Sequence, residues 1–219
     1  MPDVNVLRAT ELFASLSEAA LAKIVTTGST HQLERGDTLF DEGAEPDQIY
    51  VVTSGRIAMV NRSIDGRESV VALMEPGDLF GEMPLFDGGK RSAEARALEH
   101  SEVVAIPYAP LRRLYQRHPN ELWGVVKLLV ARLRATDATL ADSVFLDVTG
   151  RTAKRLLELA GDKDEFTLPI TQEELAGIVG ASRERVNKAI SAFVRLNWIT
   201  LTDRRYTITN REQLTIRAR

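Results

Sequence analysis

Short β-rich runs alternate with single glycines through the first half of the chain. Gln48-Ile49-Tyr50-Val51-Val52, Arg56-Ile57-Ala58-Met59-Val60 and Ser69-Val70-Val71-Ala72-Leu73 are the clearest. Between Gly36 and Gly89 lie eight of the 14 glycines, and five of them (Gly43, Gly55, Gly66, Gly77, Gly88) recur every eleven or twelve residues. Short strands at this spacing, broken by Gly, Asp and Pro, predict an antiparallel sandwich or barrel. Asp65-Gly66 between two runs predicts a hairpin turn. The segment from Leu12 to Val25 reads as a helix leading into the barrel.

Near Pro119 the period changes. Leu122, Val126, Leu129, Leu133, Thr136, Leu140 and Ser143 are spaced 4, 3, 4, 3, 4, 3. That is the rhythm of a coiled-coil seam, and about 25 helical residues would run close to 40 Å. A narrow apolar stripe on so long a helix predicts a second copy as its partner. The alternative is packing against the chain's own barrel. The seam turns polar at Thr136, beside Asp137, either to set register or because something polar binds there. Gly150 reads as a break or hinge before a second helical segment, Arg151 to Ala160, and the turn-rich Gly161-Asp162-Lys163-Asp164 follows.

Thr171-Gln172-Glu173-Glu174 is a capping box that starts a helix ending at Gly180. Ser182 can cap another helix one turn later. In that helix Val186, Ala189, Ile190, Phe193 and Leu196 share a face opposite Arg183, Glu184, Asn187, Lys188 and Ser191. Two helices joined by a tight glycine turn, the second with a donor-rich face, form the helix-turn-helix pattern. Arg183 suits bidentate contact with guanine, Glu184 accepts from cytosine, and Lys188 reaches another guanine. Trp198-Ile199-Thr200-Leu201 and Tyr206-Thr207-Ile208, flanking Asp203-Arg204-Arg205, predict a β-hairpin wing.

Composition narrows the function classes. The 219 residues suit two domains, and the absence of cysteine excludes disulfides, thiolate zinc sites and cysteine-held iron–sulfur clusters. His31, His100 and His118 show no metal-ligand spacing, so no metal is expected. Charged residues interrupt the N-terminus, and no apolar run approaches the roughly 20 residues that span a bilayer. A cytoplasmic protein without a membrane partner is expected. The net charge of −3 hides an asymmetry: residues 1–150 hold 15 Lys and Arg against 22 Asp and Glu, whereas residues 151–219 hold 13 against 9. An acidic front and a basic back place any polyanion at the back.

The segment from Gly81 to Ala93 carries the most specific chemistry. Glu82 and Arg91 stand at opposite ends of a glycine-bearing stretch, with Ser92 beside the cation. That set suits a ribose hydroxyl at one end and a phosphate at the other. Phosphodiester hydrolysis usually needs metal-activated water, and the chain has no His/Asp cluster to hold a metal.

Gly81-Glu82 through Arg91-Ser92, Phe145-Leu146-Asp147-Val148-Thr149-Gly150-Arg151, and Val179-Gly180-Ala181-Ser182-Arg183-Glu184 together resemble the cyclic-AMP receptor protein (catabolite activator protein) family of bacterial transcription regulators. The resemblance extends over nearly the whole chain. It implies an α+β architecture: a jelly-roll cyclic-nucleotide-binding sensor over residues 1–118, a long dimerisation helix and hinge over 119–147, and a winged helix-turn-helix over 148–219. It implies cAMP as effector, held by Gly81 (backbone), Glu82 (ribose 2′-hydroxyl), Arg91 and Ser92 (cyclic phosphate) and Thr136 (adenine). Asp137 occupies the position where the best-known member's partner chain gives a serine. An ionised carboxylate only accepts hydrogen bonds, so the sequence departs from the family there. The resemblance further implies double-stranded DNA with TGTGA-like palindromic sites, met by Thr171, Ser182, Arg183, Glu184, Arg185 and Lys188, and RNA polymerase as a partner. Lys188 stands where the best-known member has an arginine. A regulator that binds DNA constitutively or answers another nucleotide is the first alternative. A nucleotide-binding module that regulates a partner protein is the second.

Overall fold

The computed structural model describes residues 4–8, 10, 12–14, 16–64, 66, 68–168, 170–203 and 205–219. Asp65 of the expected hairpin and Arg204 of the expected wing lie outside the described residues. The chain divides into two units, residues 1–134 and 135–219.

In the first unit, α1 (Val4–Arg8) and α2 (Glu18–Val25) precede β1 (Ser29–Leu33), β2 (Thr38–Phe40), β3 (Gln48–Ser54), β4 (Ile57–Arg62), β5 (Glu68–Met74) and β6 (Leu79–Phe80). Then come α3 (Met83–Asp87), β7 (Glu94–Ala97), β8 (Ser101–Pro107), α4 (Tyr108–Arg117) and the start of α5 (Leu122–Phe145). The strands form two four-stranded antiparallel sheets, ordered β1-β8-β3-β6 and β2-β7-β4-β5. The middle of strand β3, Ile49 to Val52, is apolar without interruption because both its faces are covered. Ile49 and Val51 join Val104, Ile106 and the helices, while Tyr50 and Val52 join Phe80, Val103 and Ala105.

The expected helix from Leu12 to Val25 is shorter than its apolar period suggests. Ser17 caps it, its hydroxyl accepting from the Ala20 amide at 3.3 Å, and helix begins at Glu18. Residues 12–14 form turns. Leu12, Phe13 and Leu16 are apolar because they fill the core, not because they continue a helix.

Helix α5 serves two faces at its start. Val125 is buried and Leu128 half-buried against the helical side of the barrel core, while Val126, Leu129 and Leu133 are exposed. Packing against the chain's own barrel thus accounts for one face and leaves the seam uncovered.

The second unit holds the last turns of α5, then α6 (Val148–Ala160), β9 (Glu165–Thr167), α7 (Gln172–Val179), α8 (Arg183–Arg195), β10 (Ile199–Thr202), β11 (Arg205–Ile208) and α9 (Arg211–Arg217). Gly150 is not the break expected of it. Asp147 caps α6, its carboxylate accepting from the Gly150 amide at 2.8 Å, so the helix starts at Val148 and the interruption is Leu146-Asp147. Gly150 answers a different need, close approach. A Cβ there would lie 2.9 Å from an Arg217 guanidinium nitrogen and 3.0 Å from the Arg217 carbonyl oxygen.

The capping box forms as the sequence predicts: the Thr171 hydroxyl accepts from the Glu174 amide at 3.1 Å, and the Glu174 carboxylate accepts from the Thr171 amide at 2.6 Å. Replacing Thr171 by alanine should cost about 0.5–2 kcal/mol of stability, measured by denaturant unfolding of the full chain. Gly180 ends α7 in the left-handed region, at φ 68°. Val186, Ala189, Ile190 and Phe193 of α8 are buried, but Leu196 is 52% exposed, because it lies past the helix as its C-cap. Strand β9 is too short to show a period, and it completes a sheet ordered β10-β11-β9.

Candidate functional site

The grip between Gly81 and Ala93 is built around two buried charges. Glu82 is fully buried and Arg91 is 4% exposed. Arg91 donates to the Gly81 carbonyl at 2.9 Å, the Gln48 carbonyl at 2.8 Å and the Tyr108 hydroxyl at 3.2 Å. Its guanidinium also lies 4.1 Å from the centre of the Phe40 ring. Two backbone carbonyls and an aromatic face thus fix the cation in direction as well as place. Gly81 must lack a side chain here: it has φ 76°, and a Cβ would stand 2.5 Å from the Arg91 guanidinium. Burial pushes the Tyr108 phenol up to about 12. Tyr108 therefore stays protonated near neutrality and donates to the Gly81 carbonyl.

Glu82 accepts from Arg132 of α5, and the same guanidinium donates to the Leu79 carbonyl. Two atoms in this cluster are buried without a protein partner among the described residues: Glu82 Oε2 and Arg91 Nε. A buried polar atom left unpaired costs about 1–3 kcal/mol, more when charged. One is an acceptor and the other a donor, so the pair fits a ligand carrying a hydroxyl and an anionic oxygen. Ser92 is exposed beside this cluster, with Met83 Sδ 3.8 Å from its hydroxyl.

Gly81, Glu82, Arg91 and Ser92 belong to the first unit. Thr136 and Asp137 lie on exposed turns of α5 in the second. Sequence reasoning missed Arg132, Tyr108 and Phe40. Arg132 carried a usable signal, since it stands four residues before Thr136 and so on the same helix face. Tyr108 and Phe40 carried none, because strand pairing brings them to Arg91.

The six candidates for DNA contact, four on α8 and two at the N-caps of α7 and α8, separate by role. Arg183, Glu184, Arg185 and Lys188 are exposed. Glu184 and Lys188 pair with each other at 2.7 Å, and that hydrogen bond holds the Glu184 carboxyl below its usual range. Ser182 and Thr171 both act as N-caps, the Ser182 hydroxyl accepting from the Arg185 amide at 3.4 Å. A capping hydroxyl accepts the amide and keeps its own hydrogen to donate to a phosphate oxygen.

Two family models match the chain: the cyclic nucleotide-binding domain over residues 30–118 and the Crp-like helix-turn-helix domain over residues 150–216. A "CRP-like cAMP-activated global transcriptional regulator" of Mycobacterium tuberculosis is 36% identical over 98% of this chain and 99% of its own length. The chain belongs to the CRP family. The cAMP-activated global transcriptional regulator CRP of Salmonella typhimurium is 34% identical over 78% of this chain and 84% of its own. Among solved structures, the c-di-GMP responsive global regulator CLP of Xanthomonas campestris shares the fold at TM-score 0.76 and 23% identity, over 88% of this chain and 99% of that one. This CRP-family chain is a DNA-binding transcription regulator with a cyclic-nucleotide-binding domain, in a family of regulators and not of enzymes. Among the described residues no group of His, Asp or Glu could hold a metal ion, and no helix is long and apolar enough to cross a membrane.

Proposed function

We propose that this protein is a homodimeric, sequence-specific regulator whose affinity for palindromic, TGTGA-like sites is controlled by cAMP. The observation that carries the reading is the buried pair Glu82 and Arg91, one orphaned acceptor and one orphaned donor in the same barrel. A cyclic nucleotide supplies the complements: a ribose hydroxyl for Glu82, with Gly81 beside it, and a phosphate for Arg91 and Ser92, strengthened by charge assistance. The relatives named as cAMP-activated support this choice of nucleotide. By the family resemblance, the adenine contact is assigned to Thr136. The exposed seam on α5 supports a second copy as its cover. Two recognition helices in one dimer would then read half-sites about one helical turn, near 34 Å, apart. The regulator acts in the cytoplasm, with RNA polymerase as its partner on DNA.

Control is a population shift, so cAMP must bind the DNA-competent arrangement better than the other. The test is calorimetric titration with cAMP and cGMP, alongside operator binding at fixed salt with and without each. Tight cAMP binding that raises operator affinity is the expected result. No binding of cAMP, or binding without effect on DNA, overturns it.

Asp137 favours a second reading, an effector other than cAMP. It sets an acceptor-only carboxylate at the position where the best-known family member has a serine, and the fold also serves the c-di-GMP responsive CLP. The same titration with c-di-GMP discriminates the two.

On the DNA side, Glu184→Ala should cost about 1–3 kcal/mol on the cognate site and relax one base preference. Because Glu184 pairs with Lys188 in the free protein, the variant also releases that lysine. A competition assay over single-base operator variants checks this. Uniform loss across all sequences would mean that Glu184 reads no base.

A further inference from the structure

The interruption between the long helix and α6 is only Leu146-Asp147, and it is held from three directions. The Asp147 carboxylate caps α6 through the Gly150 amide at 2.8 Å, and both its oxygens also accept from one nitrogen of Arg217, on α9. The Gly150 amide, and then Arg217, hold the Asp147 carboxyl below its usual range. The missing side chain at Gly150 leaves room for the Arg217 guanidinium and carbonyl.

The other end of α9 is anchored as well. Arg211 donates to the Gly161 carbonyl at 2.9 Å, the Lys163 carbonyl at 2.6 Å and Asp164 at 3.1 Å. Helix α9 thus fastens both ends of α6, with Leu214 fully buried between the fastenings. Arg151, one turn into α6, donates to the Leu146 carbonyl at 2.7 Å and to the Val179 carbonyl at 2.9 Å. Val179 is the last residue of α7 before the turn into the recognition helix. One continuous set of bonds therefore runs from Arg217 through Asp147-Leu146 and Arg151 to that turn.

We propose that Arg217 is a positioning residue for regulation: by clasping Asp147 it fixes the angle at which α6 and the recognition helix leave the long helix. The pair is too exposed to matter much for stability, with 64% of the Asp147 side chain and 32% of the Arg217 side chain accessible. Its effect lies in direction, because a joint that can swivel passes less of a distant binding event to the DNA. The clasp rests on the cyclic-nucleotide reading above only for what it transmits.

The test uses the full-length protein, with Arg217→Ala, Asp147→Ser and the double variant. Serine at 147 keeps an acceptor for the Gly150 amide and removes the ion pair. Operator affinity is measured at fixed salt with and without saturating cAMP, and the ratio of the two is the readout. Each single variant should lower that ratio about two- to five-fold, and the double variant no further than either. Equal weakening with and without cAMP leaves the ratio unchanged and overturns the clasp, as does an additive double variant. Amide hydrogen exchange at Gly150 and Arg151 supplies an arm that needs no ligand. Faster exchange in Arg217→Ala than in the wild type supports the clasp, and unchanged exchange overturns it. A wild type with no cAMP response fails the functional reading alone, and the exchange arm then decides the clasp.

Discussion

Arg91→Ala is expected to weaken cAMP binding by about 3–4 kcal/mol, a roughly 100- to 1000-fold rise in Kd. The loss would be that large because the cation is almost fully buried and aimed by two carbonyls and the Phe40 ring. A charge-assisted phosphate contact in such a place has no water to replace it. Part of the effect would be on the barrel itself, since the Gly81 and Gln48 carbonyls lose a donor. Thermal unfolding separates the two contributions, and Arg91→Lys sharpens the comparison. Lysine keeps the charge but gives up the planar fork that meets both carbonyls and a ligand at once. An intermediate Kd is therefore expected for lysine, by calorimetry. An alanine variant that binds cAMP like the wild type would remove Arg91 from the site.

Leu133→Glu is expected to split the proposed dimer. Leu133 is 61% exposed in the single chain, as are other residues of the same stripe, Val126, Leu129 and Leu140, at 43%, 41% and 62%. A seam that pairs with its own copy would bring two carboxylates together at one level, away from water. The expected cost is about 3 kcal/mol or more, at least a 100-fold rise in the dimer dissociation constant. Binding to a palindrome should fall further still, because two tethered half-site contacts become independent events. Sedimentation analysis across concentrations and operator titration check the two parts. A variant that remains dimeric would show that the stripe is covered in some other way.

Several elements were readable from local pattern. The runs at residues 48–52 and 69–73 lie on strands Gln48–Ser54 and Glu68–Met74, and the run at 56–60 lies on Ile57–Arg62 from its second residue onward. The capping box and the Gly180 turn each depend on residues within about one helical turn, so local residue order alone exposes them. Reading failed where apolar residues serve packing and not periodicity. Leu12, Phe13 and Leu16 imitated a helix, and Gly150 imitated a hinge while making room for Arg217. The short strand Glu165–Thr167 and the helix Arg211–Arg217 showed too few turns to register a period.

What the sequence determined by itself was local chemistry: a carboxylate and a guanidinium on one glycine-bearing stretch, a heptad stripe and a donor-rich helix. Those follow from side-chain type and from periods of 2 and 3.6 residues, which are local. What only the tertiary structure decided was partnership. Glu82 meets Arg132 across 50 residues, Arg91 meets the Gln48 carbonyl across 43, and Asp147 meets Arg217 across 70. Strand register and helix docking set these pairings, and no local rule spans such separations. Residue types named the ligand class and the polyanion, while packing chose which arginine anchors the grip, which closes on its carboxylate and which clasps the joint.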